Sequence, residues 1–102
     1  MELGLSNKVI VVSGGAKGIG YGIAKVLAKE GATVCIIGRS AADNKLAVDA
    51  LIANGGKAFA VEAELTDPNA CKQAVDTVLA TYGTIDGLVN NAGVNDGVGL
   101  EN

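Results

Sequence analysis

The spacing of apolar residues changes several times along the chain, and each change predicts an element. Lys8 to Ser13 (KVIVVS) is a run of β-branched residues closed by glycines, which predicts a strand buried on both faces. From Gly18 to Lys29 the spacing is helical. Ile19, Ile23, Val26 and Leu27 are expected on the inward face, with Gly31 placed where a helix is commonly terminated. Thr33 to Ile37 is a second β-rich run, Lys45 to Ala53 predicts a helix stopped by Asn54-Gly55-Gly56, and Ala58 to Val61 predicts a short third strand. Thr66-Asp67-Pro68 offers an N-cap and a first-turn proline, after which Cys71, Ala74, Val75, Val78, Leu79 and Tyr82 keep helical spacing. Gly87 to Asn91 (GLVNN) is a fourth strand, followed by a glycine-rich tail from Ala92 to Gly99.

Four strands alternating with three helices specify an α/β fold with right-handed crossovers and a parallel sheet. The expected architecture is the N-terminal half of a Rossmann-type doubly wound sheet, spread over residues 1–102 as one domain. Its strands should lie in the order 3-2-1-4, with the fifth and sixth strands of a complete fold adding beyond the fourth. Three helices cannot cover both faces evenly, so the fourth strand is expected to present an unpaired edge and an apolar patch.

Composition narrows the partners. At 102 residues there is no room for a separate substrate domain. A net charge of −3 provides no basic face for nucleic acid or for an anionic membrane surface, so neither is expected as a partner. The N-terminal residues lack a charged region followed by an apolar run, and stretches such as Val9 to Val12 are too short to span a bilayer, which points to the cytoplasm. Cys35 and Cys71 fall inside a predicted strand and helix without the clustering a metal site needs. Both are expected to be buried, reduced thiols, and no metal site is expected.

The candidate chemistry lies between the first strand and the first helix, where Ser13-Gly14-Gly15-Ala16-Lys17-Gly18-Ile19-Gly20 carries glycines in the pattern G-x-x-x-G-x-G. Glycines at a strand-to-helix turn permit a sharp bend, close backbone approach to a pyrophosphate and tight helix packing, while exposed N–H groups and the helix dipole favour an anion. Gly14, Gly18, Ile19 and Gly20 are therefore candidate ligands of a diphosphate, with the charge of Lys17 beside them. The Gly-Lys-Ser/Thr ending of a P-loop is absent, and the G-x-G-x-x-G dinucleotide pattern does not fit in register.

The loop resembles the TGxxxGxG segment of the short-chain dehydrogenase/reductase family, with Ser13 in place of the usual threonine. Two further segments carry the same resemblance. Glu62-Ala63-Glu64-Leu65-Thr66-Asp67 is similar to the family's acidic segment after the third strand, with Glu64 in place of the usual aspartate; the resemblance assigns Glu64 and Leu65 to the adenine. Asn90-Asn91-Ala92-Gly93 matches the family's NNAG motif, which implies that these four residues fix the central sheet and line the coenzyme ribose. The three motifs stand in the family's order and cover essentially the whole chain.

The nicotinamide coenzyme is expected to be NADP rather than NAD. Dinucleotide folds place an acid about 20 residues beyond the glycine loop to accept hydrogen bonds from the adenosine ribose. This chain reads Gly38-Arg39-Ser40 there. Without an acid the 2′-hydroxyl loses its acceptor, whereas the planar fork of Arg39 suits a 2′-phosphate and Lys17 adds a second cation. Arg39 and Ser40 thus join the candidate site.

The resemblance implies hydride transfer between the coenzyme and a small alcohol or carbonyl compound, carried out in the family by a serine, a tyrosine and a lysine on later elements. None of those is expected in this chain. Tyr21 and Lys25 form a Y-x-x-x-K, but on the first helix, below the pyrophosphate and away from the nicotinamide; Tyr82 is expected to pack at the end of the third helix, and the chain has no histidine. The run Val94 to Glu101 is similar to sugar-oxidising members, L-fucose dehydrogenases among them. The chain is thus expected to be the coenzyme-binding front half of an oxidoreductase that works as a homo-oligomer, lacking the catalytic half. The alternatives are a short nucleotide-binding module, or half, that associates with another chain, and a methyl donor-binding domain; Gly38 argues against the last, which calls for an acid after the second strand.

Overall fold

A computed structural model describes residues 5–91. Seven elements follow one another: β1 (Val9–Ser13), α1 (Gly18–Lys29), β2 (Thr33–Gly38), α2 (Ala41–Ala53), β3 (Lys57–Glu62), α3 (Pro68–Tyr82) and β4 (Gly87–Asn90). The strands form one parallel sheet in the order β3-β2-β1-β4. Register runs from Val9 opposite Thr33 to Ser13 opposite Ile37, and from Ile10 opposite Gly87 to Ser13 opposite Asn90.

Period-two alternation sorts the apolar side chains into two cores. Ile10, Val12, Val34 and Ile36 face α1 and α2, packing against Ala24, Ala28, Ala47 and Leu51. Val9, Val11, Cys35 and Ile37 face α3, packing against Ala74 and Val78. β1 and β2 are therefore covered on both faces, as their near-continuous β-branched sequences require. Burial pushes the Cys35 thiol up to about 12, which leaves it neutral. Cys71 departs from expectation: it is only half-buried, with its thiol 3.5 Å from the Leu65 carbonyl, because it lies one turn into α3 rather than beneath it.

Coverage is uneven, as anticipated. Among the described residues, one helix shields the α3 face and β4 has a partner on one side only. Leu88, opposite Val11 and so on that face, is 67% exposed. Val75, Leu79 and Tyr82 of α3 are also exposed, although Tyr82 packs on Phe59 with ring centroids 4.9 Å apart.

Two helices differ from the sequence reading. The buried stripe of α1 is Gly20, Ala24 and Ala28, flanked by half-buried Ile23 and Leu27, while Ile19 and Val26 point outward. Three small residues spaced four apart let the helix lie close to the sheet, and at 100° per residue that rotation carries positions 19 and 26 off the inner face. Helix α2 starts at Ala41, four residues earlier than its apolar period suggests, because Ser40 caps it: the Ser40 hydroxyl accepts the Asp43 N–H at 3.2 Å.

Candidate functional site

All four strands point their carboxyl ends toward one edge of the sheet, and every described candidate residue lies there. The glycine loop follows β1, Arg39 and Ser40 follow β2, Glu64 and Leu65 follow β3, and Asn90 and Asn91 end β4. Ala92, Gly93 and the tail from Val94 to Glu101 lie outside the described residues. Because β1 pairs with β2 on one side and β4 on the other, the chain reverses its winding direction beside β1; parallel α/β sheets hold their ligands at such a switch point.

The glycines do different jobs. Gly14 (φ 69°) and Gly18 (φ 58°) adopt the left-handed conformation that turns the chain out of β1 and into α1. Around Gly18 a side chain would meet nothing within 4 Å, so its backbone is open to approach. Gly20 is required by packing: a Cβ there would run into the Gly14 carbonyl oxygen and come 2.7 Å from Asn91 Nδ2. Lys17, at the N-cap, makes no side-chain cap bond, and the first turn of α1 contains no acid. The N–H groups of Gly18, Ile19 and Gly20 find no acceptor among the described residues; the first helical bond runs from Tyr21 N–H to the Lys17 carbonyl at 3.3 Å. Four orphan N–H groups at a helix start carry about half a positive charge.

Ser13 ties this loop to β4. Its hydroxyl lies 3.0 Å from Asn90 Oδ1 and 3.3 Å from the Val89 carbonyl, and accepts the Asn91 N–H at 3.2 Å. Asn91 is buried and donates through Nδ2 to the Gly14 carbonyl at 3.4 Å. The two asparagines and the serine thus brace the switch point from the β4 side. Serine performs this bracing as threonine would, since only the hydroxyl is used.

The charged residues come with partners that sequence spacing did not reveal. Lys17 Nζ lies 3.1 Å from Asp43, and the Arg39 guanidinium 4.0 Å from Glu64; the two basic side chains are 75% and 80% exposed. Exposed pairs contribute about 0–1 kcal/mol, so either cation can exchange its carboxylate for a phosphate, which offers a stronger charge-assisted bond. Glu64 also turns back on its own loop, accepting from the Thr66 hydroxyl at 3.1 Å. Leu65 packs half-buried against the α3 core. Ser40, a candidate ligand by sequence, already uses its oxygen as the cap of α2. Asp43 was missed; the S-x-x-D spacing of Ser40 to Asp43, a cap-box-like signal, would have found it. Tyr21 is half-buried against the α1–α2 core, with the exposed Lys25 Nζ 5.9 Å from its ring centre, so the tyrosine of the Y-x-x-x-K pair is engaged in helix packing.

A profile of the short chain dehydrogenase family matches residues 8–102. The chain belongs to this family. As a short-chain dehydrogenase-family chain it is 42% identical over 98 residues to an uncharacterized oxidoreductase of Methylorubrum extorquens, covering 95% of this chain and 40% of the relative. It is 36% identical to the short-chain dehydrogenase/reductase homolog YusS of Bacillus subtilis, covering 86% of this chain and 82% of that protein. Its fold superposes on L-sorbose reductase from Gluconobacter frateurii, solved with NADPH and L-sorbose, with a TM-score of 0.85 and 34% identity, over 89% of this chain and 35% of the reductase. The chain thus spans well under half of the oxidoreductase and of the reductase, and most of YusS. No helix among the described residues is long and apolar enough to cross a membrane.

Proposed function

We propose that this chain binds NADP(H) along the carboxyl edge of its sheet and forms the coenzyme-binding part of an NAD(P)-dependent alcohol or carbonyl oxidoreductase. The observation that carries the reading is the start of α1, where three N–H groups find no acceptor among the described residues, no side chain caps them, and the space around Gly18 is open. That donor set fits a diphosphate. Gly18, Ile19 and Gly20 would hold it through their N–H groups, with Gly14, whose own N–H is bonded to the Ile37 carbonyl, turning the chain beneath it; Arg39 and Lys17 would take the 2′-phosphate, Glu64 and Leu65 the adenine, and Asn90, Asn91, Ala92 and Gly93 the ribose. The bound coenzyme would supply hydride exchange at its nicotinamide ring. The part played by this chain is binding and orientation, and no catalytic role is assigned to its tyrosines.

The substrate of the longer protein is an alcohol or carbonyl compound, with a sugar or polyol favoured by the likeness of the tail to sugar-oxidising members. A second reading, a short nucleotide-binding module, is favoured by the homolog in Bacillus subtilis, most of whose length this chain matches. The intact mass of the protein purified from its own cells separates the two: a mass near 10.1 kDa supports the module.

Fluorescence titration with NADPH and NADH tests the coenzyme reading. NADPH is expected to bind about tenfold tighter or more, and Arg39→Ala to remove the difference, since a hydrogen bond to a charged group contributes about 1.5–3 kcal/mol. Equal affinities, or an unaffected variant, would overturn it.

A further inference from the structure

Gly38 ends β2 opposite Glu62, at the position where a dinucleotide fold carries its ribose-binding acid, about 20 residues past the glycine loop. Its backbone is not left-handed, so conformation alone does not demand glycine there. Space does. A Cβ on residue 38 would lie 2.6 Å from Asn44 Oδ1, much closer than such contacts run in folded proteins.

We propose that Asn44 is the residue that sets coenzyme specificity from behind the site: its buried amide occupies the place where a side chain at position 38 would begin, and so keeps an acid away from the ribose 2′ position. The proposal rests on the NADP(H) reading above and adds the residue that enforces it.

Three observations favour the amide keeping this position. Asn44 is only 3% exposed, inside the core-facing side of α2. Its own N–H donates to the Ser40 carbonyl at 2.9 Å, which anchors its backbone in the first turn. Its Nδ2 donates to the Gly38 carbonyl at 2.9 Å, which directs Oδ1 at the Gly38 Cα. That oxygen has no hydrogen-bond partner among the described residues, an arrangement that buried amides rarely show. The Gly38 carbonyl does not depend on Asn44, because it also accepts the Ala63 N–H at 3.0 Å. Removing the amide therefore opens room beside residue 38 without stranding the strand end. With position 38 bare, the only side chains the β2 end offers to a ribose substituent are those of Arg39 and Ser40, and Arg39 selects a phosphate.

The test uses the full chain as wild type, Gly38→Ala, Gly38→Asp, Asn44→Ala and the two double variants, with thermal melting and titration by NADPH and NADH. Gly38→Ala is expected to lower the melting temperature clearly in the presence of Asn44 and by less than half as much in the Asn44→Ala background. Gly38→Asp with Asn44→Ala is expected to fold and to shift the NADPH-to-NADH affinity ratio toward NADH by about tenfold or more relative to Asn44→Ala alone. Equal melting losses in both backgrounds, or an unshifted ratio in the double variant, would overturn the role of Asn44. A wild type that binds both coenzymes equally would instead strike the NADP(H) reading, and the specificity role with it, whatever the melting data show. A wild type that prefers NADPH, with no coupling between positions 38 and 44, would strike Asn44 alone.

Discussion

Helix α3 begins with Asp67, whose carboxylate accepts the Asn69 N–H at 2.9 Å, and continues with Pro68, which has no N–H to satisfy. Helix α1 begins with Lys17, which offers no acceptor, and continues Gly-Ile-Gly with three N–H groups that find no acceptor among the described residues. Both helices face the same physical problem, a first turn of donors with no carbonyl four residues back. α3 meets two of these positions within its own sequence, through the Asp67 carboxylate and the missing N–H of Pro68. α1 leaves it unsolved, and places the unsolved end at the switch point between β2 and β4. α2 follows the α3 solution through Ser40. The contrast within one small sheet teaches that the site is recognised by what its helix omits as much as by the glycines it contains.

The comparison breaks first at Gly20. Gly20→Ala pushes a methyl group against the Gly14 carbonyl and the Asn91 amide, and overpacking of this kind costs about 1–3 kcal/mol. A lowered denaturation midpoint together with lost NADPH binding is expected; an unchanged midpoint would mean that the loop is not packed as described. Lys17→Ser sharpens the contrast by giving α1 the kind of cap that α2 has. A serine N-cap stabilises a helix by about 1 kcal/mol, so urea unfolding should show equal or greater stability while titration shows weaker NADPH binding. Stability and affinity moving down together would contradict the idea of a donor set reserved for an anion. The mirror experiment is Asp67→Ala, expected to cost about 1 kcal/mol on unfolding and to leave coenzyme affinity unchanged. Smallest of all is Lys72→Ala, which removes the exposed i,i+4 pair with Asp76 at 3.1 Å and should cost only about 0.3–0.5 kcal/mol. That value serves as the baseline against which the cap effects are judged.

Local signals carried much of this protein. β-branched runs bounded by glycine, the Asp67-Pro68 start and the alternation of strand and helix were legible from Lys8 to Asn90, because each depends on residues a few positions apart and on strong backbone preferences. Strand order followed from the same alternation, since right-handed crossovers leave few ways to assemble a parallel sheet. The candidate residues were proposed from local sequence too, as three short motifs and the Arg39-Ser40 step after the second strand.

What the chain could not announce is whatever depends on groups far apart in sequence meeting in space. The rotation of α1, with Ile19 and Val26 outside and Gly20, Ala24 and Ala28 inside, was decided by how closely a small-residue stripe approaches the sheet. The carboxylates beside Lys17 and Arg39, the serine that braces Asn90 and Asn91, and the amide that fills the space beside Gly38 were likewise placed by packing. Periodicity and motif spacing determine which backbone forms and where it turns. Only the folded sheet, by bringing four strand ends to one edge, determines which side chains become neighbours there.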